Sequence, residues 1–194
     1  TFAIDDELFK YGDDGFIFFG KPKFNETTLT NTSTVQYGKI RIKQILSLVE
    51  NQSTGRKDVV EIKYEVTNRD RVGHSIGARI MLDTMLGSND SAPFRVPGTG
   101  AVTTQTEFVG EDIPEYWQAF DSLENPQVIS QGSFLRGEND PDIVQFTSWP
   151  VVSDAMWDAP IEYERPNGDS AVTVGWYQMP LYAGETQTYT TYYG

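Results

Sequence analysis

Residues 59–68 read VVEIKYEVTN, with Val60, Ile62, Tyr64 and Val66 on one side and Glu61, Lys63, Glu65 and Thr67 on the other. That period of two marks a half-buried β-strand, because successive side chains of an extended chain point to opposite faces. Working backwards, Gly38 to Val49 carries Ile40, Ile42, Leu46 and Leu48 in alternation with Lys39, Arg41, Lys43 and Ser47, and the intervening NQSTGRKD is turn chemistry. The two runs predict a long β-hairpin. Working forwards, the turn-forming stretch Asn68 to Gly73 leads into Ser75 to Asp83, where Ile76, Ala78, Ile80 and Leu82 share a face. This third strand reads as a continuation of the meander.

The stretch from Gly87 to Gly100, GSNDSAPFRVPGTG, is too dense in breakers for helix or central strand and reads as a long irregular loop. Further strands are expected over Ala101 to Val109, Trp117 to Phe120, Val128 to Phe134, Ile143 to Thr147, Ala171 to Tyr177 and Thr186 to Tyr193. Helical periodicity leaves room for a turn or two only around Ile4 to Phe9 and Ser153 to Trp157. Two sandwiches in series would need a polar linker near the middle, and the middle reads GEDIPEYWQAFDSLEN, with Trp117 and Phe120 to bury. The expected fold is therefore all-β: one large antiparallel β-sandwich spanning residues 1–194, with little or no helix. No internal repeat supports a propeller or a solenoid.

Composition excludes several functions. The 194 residues hold 28 Asp and Glu against 15 Lys and Arg, a formal net charge of −13. A balance this acidic, with no basic run, leaves no footprint for a nucleic acid or an anionic lipid surface. No stretch approaches the ~20 apolar residues of a membrane-spanning helix, so no membrane insertion is expected. The absence of cysteine removes disulfides, thiolate metal sites and Cys nucleophiles. Starting at Thr1 without an initiator Met, the sequence reads as a processed protein or a segment of a longer polypeptide. A cysteine-free, acidic chain rich in Thr, Tyr and Asn also suits an extracellular or cell-surface bacterial protein.

With His74 the only histidine, Ser-His-Asp relays would hang on one residue at a turn-strand junction, and HExxH sites are impossible. His74 reads as a strand-edge residue. GxGxxG, GxxxxGK[ST] and GxSxG are absent, which removes support for dinucleotide, P-loop and hydrolase-elbow chemistry. Paired-carboxylate glycoside hydrolysis stays open, since it needs only two acidic groups across a sugar site, and Glu107, Glu111, Asp112 and Glu115 cluster beside Tyr116 and Trp117.

The aromatic residues are more informative. Trp117, Trp149 and Trp157, with Tyr116 and Tyr163, lie in the Pro-containing stretches IPEYWQ, SWPVV, MWDAP and IEYERP. A flat ring stacks on the CH face of a pyranose while neighbouring Asp, Glu, Gln and Asn bond its hydroxyls, so these five residues are the candidate carbohydrate-binding set. Each could instead be core. Trp176, in phase with Val172 and Val174, is assigned to the core.

Three clusters could hold a hard cation such as Ca²⁺, which takes six to eight oxygen ligands. The favoured one is Asp83, Asn89 and Asp90; the others are Glu138, Asn139, Asp140 and Asp142, and Asp13-Asp14-Gly15. All are also ordinary turn chemistry, and Asp83 could instead pair with Arg79 or Arg95. Asn25, Asn31, Asn51 and Asn89 stand in N-x-S/T context, which marks surface loops in a eukaryotic secreted protein.

At VTNRDRVGHSIGARIMLDTMLGSNDSAPF the chain resembles a module of large secreted or surface-attached bacterial proteins, in which a V-x-N turn precedes a G-x-R-x-x-L-D-T-x-L-G-x-N-D strand and loop. The downstream IPEYWQAFDSLENPQVISQG and the closing TYTTYYG extend the likeness over nearly the whole chain. More loosely, the long hairpins resemble the β-supersandwich of galactose-mutarotase-like and glycosidase-associated domains. That resemblance implies a sugar-facing β-sandwich. Aldose epimerases rely on histidines that this chain lacks, so mutarotase activity is not carried over.

The leading expectation is a non-catalytic extracellular module that binds a polysaccharide or other glycan by aromatic stacking and partners other domains of the same polypeptide. Two alternatives stand beside it: a spacer or adhesin domain of a bacterial surface protein stabilised by Ca²⁺, and a glycoside-active enzyme with paired carboxylates.

Overall fold

A computed structural model describes residues 1–13, 15–51, 54–134 and 139–194. Its strands run β1 (Phe2–Ile4), β2 (Glu7–Phe9), β3 (Ile17–Phe18), β4 (Lys23–Asn25), β5 (Thr30–Tyr37), β6 (Ile40–Val49), β7 (Val59–Asn68) and β8 (His74–Asp83). The second half adds β9 (Phe94–Val96), β10 (Gly100–Val102), β11 (Thr106–Val109), β12 (Tyr116–Phe120), β13 (Ile129–Ser133), β14 (Ile143–Ser148), a short helix α1 (Trp149–Asp154), β15 (Ser170–Leu181) and β16 (Thr186–Tyr193). Among the described residues these form two antiparallel sheets, a six-stranded one in the order β11-β14-β15-β8-β1-β2 and a ten-stranded one in the order β10-β9-β12-β13-β16-β7-β6-β5-β3, with β4 also on β5. The protein is an all-β sandwich.

The hairpin read from the sequence is β6 paired with β7, in register from Ile40↔Asn68 to Val49↔Val59. The third strand does not extend that meander. β8 crosses to the other sheet, where it pairs with β1 and β15, while β16 takes the free edge of β7. Asn68 makes the crossing. Fully buried, it donates from Nδ2 to the carbonyls of Val72 (2.8 Å) and Leu181 (2.9 Å), and its Oδ1 accepts the Asp70 N–H at 2.8 Å. Its backbone N–H donates to the Glu185 carbonyl and its own carbonyl accepts from Gly184, so every polar group of the residue is satisfied at the corner.

The inward faces of both sheets share one core. Ile76, Ala78, Ile80, Val172, Val174 and Trp176 from one sheet meet Val35, Ile42, Val66, Phe94, Trp117 and Tyr189 from the other. Trp176 is core, as its phase implied. Trp117 corrects the aromatic set: it is 0% exposed, stacked on Tyr193 (5.6 Å) and edge-on to Phe94 and Phe146. Its cross-strand neighbour is Gly132, where any side chain would run into the indole. The ring fills the space a residue at 132 would take, so it cannot face a saccharide.

Other local expectations shift for identifiable reasons. Ile4 to Phe9 is a hairpin, β1 to β2, not a helical turn, because Asp5 and Asp6 adopt positive φ (51° and 68°), the twist a two-residue hairpin loop needs. The helix begins at Trp149, with Pro150 in its first turn, and ends by Asp154. The loop 87–100 contains β9, which pairs with β10 around the Gly98 turn. The run expected as one strand over Ala101 to Val109 is split between β10 and β11 in different sheets. Of the acidic clusters, Asp14 and Glu138 lie outside the described residues.

Two substitutions test this architecture by urea denaturation. Trp117→Ala is expected to cost about 3–5 kcal/mol through the cavity it leaves. Asn68→Ala, which orphans the buried Leu181 carbonyl and frees the part-buried Val72 carbonyl and Asp70 N–H, is expected to cost about 1–3 kcal/mol, and a loss below about 0.5 kcal/mol would contradict its role at the corner.

Candidate functional site

Because Ile76, Ala78 and Ile80 point into the core, the alternate residues of the six-stranded sheet point outward. Register sets them in two rows across the strands: Glu107, Gln145, Thr173 and Met81 in one, and Val109, Ile143, Gly175 and Arg79 in the other. An outer face of a sheet is ordinarily left to water. Here α1 and the chain that follows it lie over the face, with Val152 and Ala159 packed against Ala171 as a second small core.

Arg79 ties that cover down. The side chain is 7% exposed, and its guanidinium donates to the carbonyls of Ala155 and Val152, with no carboxylate within ion-pair distance among the described residues. Beside it, Gln145 donates to Glu107 Oε2 (2.8 Å) and to the Ala159 carbonyl (3.0 Å), while its Oε1 accepts the Thr173 hydroxyl at 3.0 Å. Trp157 lies against β8 at Gly77, where a Cβ would stand 2.8 Å from its ring, so only glycine lets the indole approach so closely. Between Trp157, Asp158 and the sheet opens a cleft of about 150 Å³, lined by Arg79, Glu107, Gln145, Thr173, Trp176 and Tyr177. Burial, with the charges of Glu107, Asp142 and Asp158, pushes the Tyr177 phenol above its ordinary pKa. The phenol therefore stays protonated and able to donate. On the other side of Arg79 a second cleft, about 360 Å³, is lined by Lys10, Trp149 and Ser153.

The structure divides the five expected aromatic residues. Trp149 (39% exposed) and the half-buried Trp157 belong to the cover and line the two clefts that share Arg79. Tyr163 is exposed in the chain between α1 and β15, away from the lining of either cleft. Tyr116 opens β12 in the ten-stranded sheet and is not brought to this face. Trp117 is core. The polar floor made by Arg79, Gln145 and Thr173 was not legible, since each occupies the position in its strand that period-two alternation gives to solvent.

The favoured cation set is regrouped. Asp83 and Asp90 converge with Asp169, their carboxylate oxygens within 4.8 Å of one another, and these three could supply oxygen ligands to a hard cation. Asn89 fixes the loop instead, its Nδ2 donating to the Asp121 carbonyl and its Oδ1 accepting the Ser91 N–H. Neither arginine pairs with Asp83 at ion-pair distance; Arg95 lies over the Phe120 ring and donates to the Leu123 carbonyl. Partial burial and the charges of Asp90 and Asp83 raise the Asp169 carboxyl above its ordinary pKa, and its φ is 52°.

His74 sits at the start of β8, its Nδ1 2.6 Å from Asp5 Oδ2 and its Nε2 3.5 Å from Asp70 Oδ2. The Asp5 hydrogen bond outweighs desolvation and raises the imidazole above 6.5. Asp5 is lowered, its hydrogen bonds from His74 and Ser75 exceeding desolvation, and Asp70 is lowered first by the Arg71 N–H. The residue clasps the β1–β2 turn to the Asn68 corner and is remote from the clefts' lining.

No protein-family model and no curated protein sequence matches the chain. Solved structures similar to it include the galactosidase domain of an α-galactosidase–sucrose kinase, at a TM-score of 0.50 and 10% identity over 100% of this chain and 26% of that one. Another is a galactose mutarotase-related enzyme from Lactobacillus acidophilus, at a TM-score of 0.46 and 10% identity over 92% of this chain and 70% of that one. The chain thus spans about a quarter of the galactosidase chain. At such identity the likeness to the galactosidase domain is one of fold alone.

Two electrostatic outcomes are expected. The His74 contribution is fully present below about pH 6.5 and is lost as pH rises through the raised folded pKa, whereas the lowered Asp5 and Asp70 lose theirs as pH falls below their ordinary 3.8. Urea midpoints should therefore separate wild type from His74→Gln most near pH 5–6, by at most about 1 kcal/mol, and least near pH 9. For Asp169, a raised carboxyl means that charging it opposes folding, so stability falls as pH rises through its pKa. With chelator at neutral pH, Asp169→Asn should melt slightly higher than wild type, by no more than about 0.5 kcal/mol after solvent screening.

Proposed function

We propose that this protein is a glycan-binding β-sandwich module of a larger extracellular polypeptide, and that its ligand docks on the outer face of the six-stranded sheet in the cleft beside Trp157. The observation that carries the reading is the Glu107–Gln145–Thr173 hydrogen-bond ladder at the edge of a cleft walled by an indole and a phenol. Vicinal hydroxyls of a pyranose need donors and acceptors held at fixed spacing, and an aromatic wall offers its CH face a dry surface. The ladder's side chains are oriented by one another, which lowers the entropy lost when a ligand engages them. A fold shared with the galactosidase domain supports a sugar-related role without specifying one.

Two further readings each have an observation behind them. Glu107 and Asp158 line the same cleft, as a glycoside-active enzyme would require of a carboxylate pair. The Asp83, Asp90 and Asp169 group favours a calcium-stabilised spacer. Turnover of any polysaccharide, abolished by Glu107→Gln, would favour the first. A melting temperature raised by calcium in wild type more than in Asp169→Asn would favour the second, because a ligand of the folded state alone must stabilise it.

Isothermal titration against plant and bacterial oligosaccharides tests the main reading. A binder is expected whose affinity falls by about tenfold or more, ~1.4 kcal/mol, in Trp157→Ala and in Gln145→Ala, and is unchanged in Tyr116→Ala. Binding lost on Tyr116→Ala but kept in Trp157→Ala would move the site to the other sheet.

A further inference from the structure

We infer that the cleft between Lys10 and Arg79 receives the carboxylate of an acidic saccharide, a hexuronate-bearing glycan. The assignment rests on the glycan reading above and adds the ligand's charge class. A guanidinium removed from water is expensive unless an anion faces it, and Arg79, more than nine-tenths buried, is held only by two neutral carbonyls and leaves its buried Nε without a partner.

The second observation is the cleft itself. Its lining includes the cations Lys10 and Arg79 with Thr1, Tyr64, Ser153 and Trp149, and among the described residues no Asp or Glu. Lys10 is exposed just past β2 and makes no ion pair among the described residues. Among the described residues, Asp158 lines the smaller cleft beyond Arg79, and Asp13 lines an adjoining one with Lys10 and Met156 and acts on the Thr1 amine.

Two cations flanking one space suit a planar carboxylate, to which a guanidinium bonds well. The Trp149 ring beside them can carry the sugar that bears it.

Titration calorimetry with short hexuronate oligosaccharides, their methyl esters, neutral oligosaccharides and hexose 6-phosphates tests the inference on the intact chain. Because Arg79 anchors the cover, the informative variant is Lys10→Glu, at an exposed position. An acid is expected to bind about tenfold or more tighter than its own methyl ester. Lys10→Glu should erase that preference and leave the ester's affinity within about twofold. Esters binding as well as acids, a preference that survives Lys10→Glu, or a sugar phosphate preferred over every uronate would each overturn it. Neutral saccharides bound in a Trp157-dependent way without acid preference would end this inference alone; no binding by any saccharide would end the glycan reading with it.

Discussion

The covered face of the six-stranded sheet is organised around one buried guanidinium. Arg79 stands on the outward side of β8 and holds the carbonyls of Val152 and Ala155, more than 70 residues away in the chain. Beside that attachment, Val152, Ala159 and Ala171 pack α1 and its following segment on the sheet, Gln145 holds the Ala159 carbonyl, and Trp157 lies on Gly77. Two clefts form on either side of the Arg79 side chain. The arrangement is costly in solvation terms, because a charge has been buried against neutral acceptors. A site that uses the charge accounts for that cost better than a purely structural tie, for which a neutral donor would suffice.

The rest of the sandwich serves to present this face. Asn68 turns the chain from one sheet to the other at the end of β7, so β8 enters the six-stranded sheet between β1 and β15 with Arg79 outward and Ile80 inward. Beneath it, Trp117, Phe94, Phe146 and Tyr193 form a dense aromatic cluster whose rings meet edge-on, tilted or stacked at 5.0–5.8 Å. Such a cluster packs the space between sheets with few rotamers to order, which suits a chain with no disulfides. The two kinds of aromatic residue are thereby separated, core rings between the sheets and cleft rings on the cover.

Much of the sandwich is legible in the sequence because strands with one dry face write their period into it. β6, β7, β8 and β16 can be read on that basis, β16 with both of its ends. β5 cannot: TNTSTVQY has Val35 as its one fully buried side chain and otherwise reads as polar turn. The aromatic residues mislead differently. Nearby proline suggests irregular chain, yet Trp117 alternates with Tyr116 and Gln118 and shares the phase of Ala119, which is a usable sign that it points inward. The candidate site itself has no local signature. Arg79, Gln145 and Thr173 look like solvent-facing strand residues until a distant segment covers them, and Asp169 joins Asp83 and Asp90 only through the pairing of β8 with β15. Contacts between residues so far apart in sequence leave no period to read.

The central claim is that ligand meets the covered face of the six-stranded sheet. Amide chemical-shift mapping of the isotope-labelled chain during titration with a bound oligosaccharide tests it most directly. Perturbations should concentrate in β8, β14, β15 and residues 149–159, with the indole N–H signals of Trp149 and Trp157 moving and that of Trp117 still. Perturbations confined to the ten-stranded sheet would contradict it.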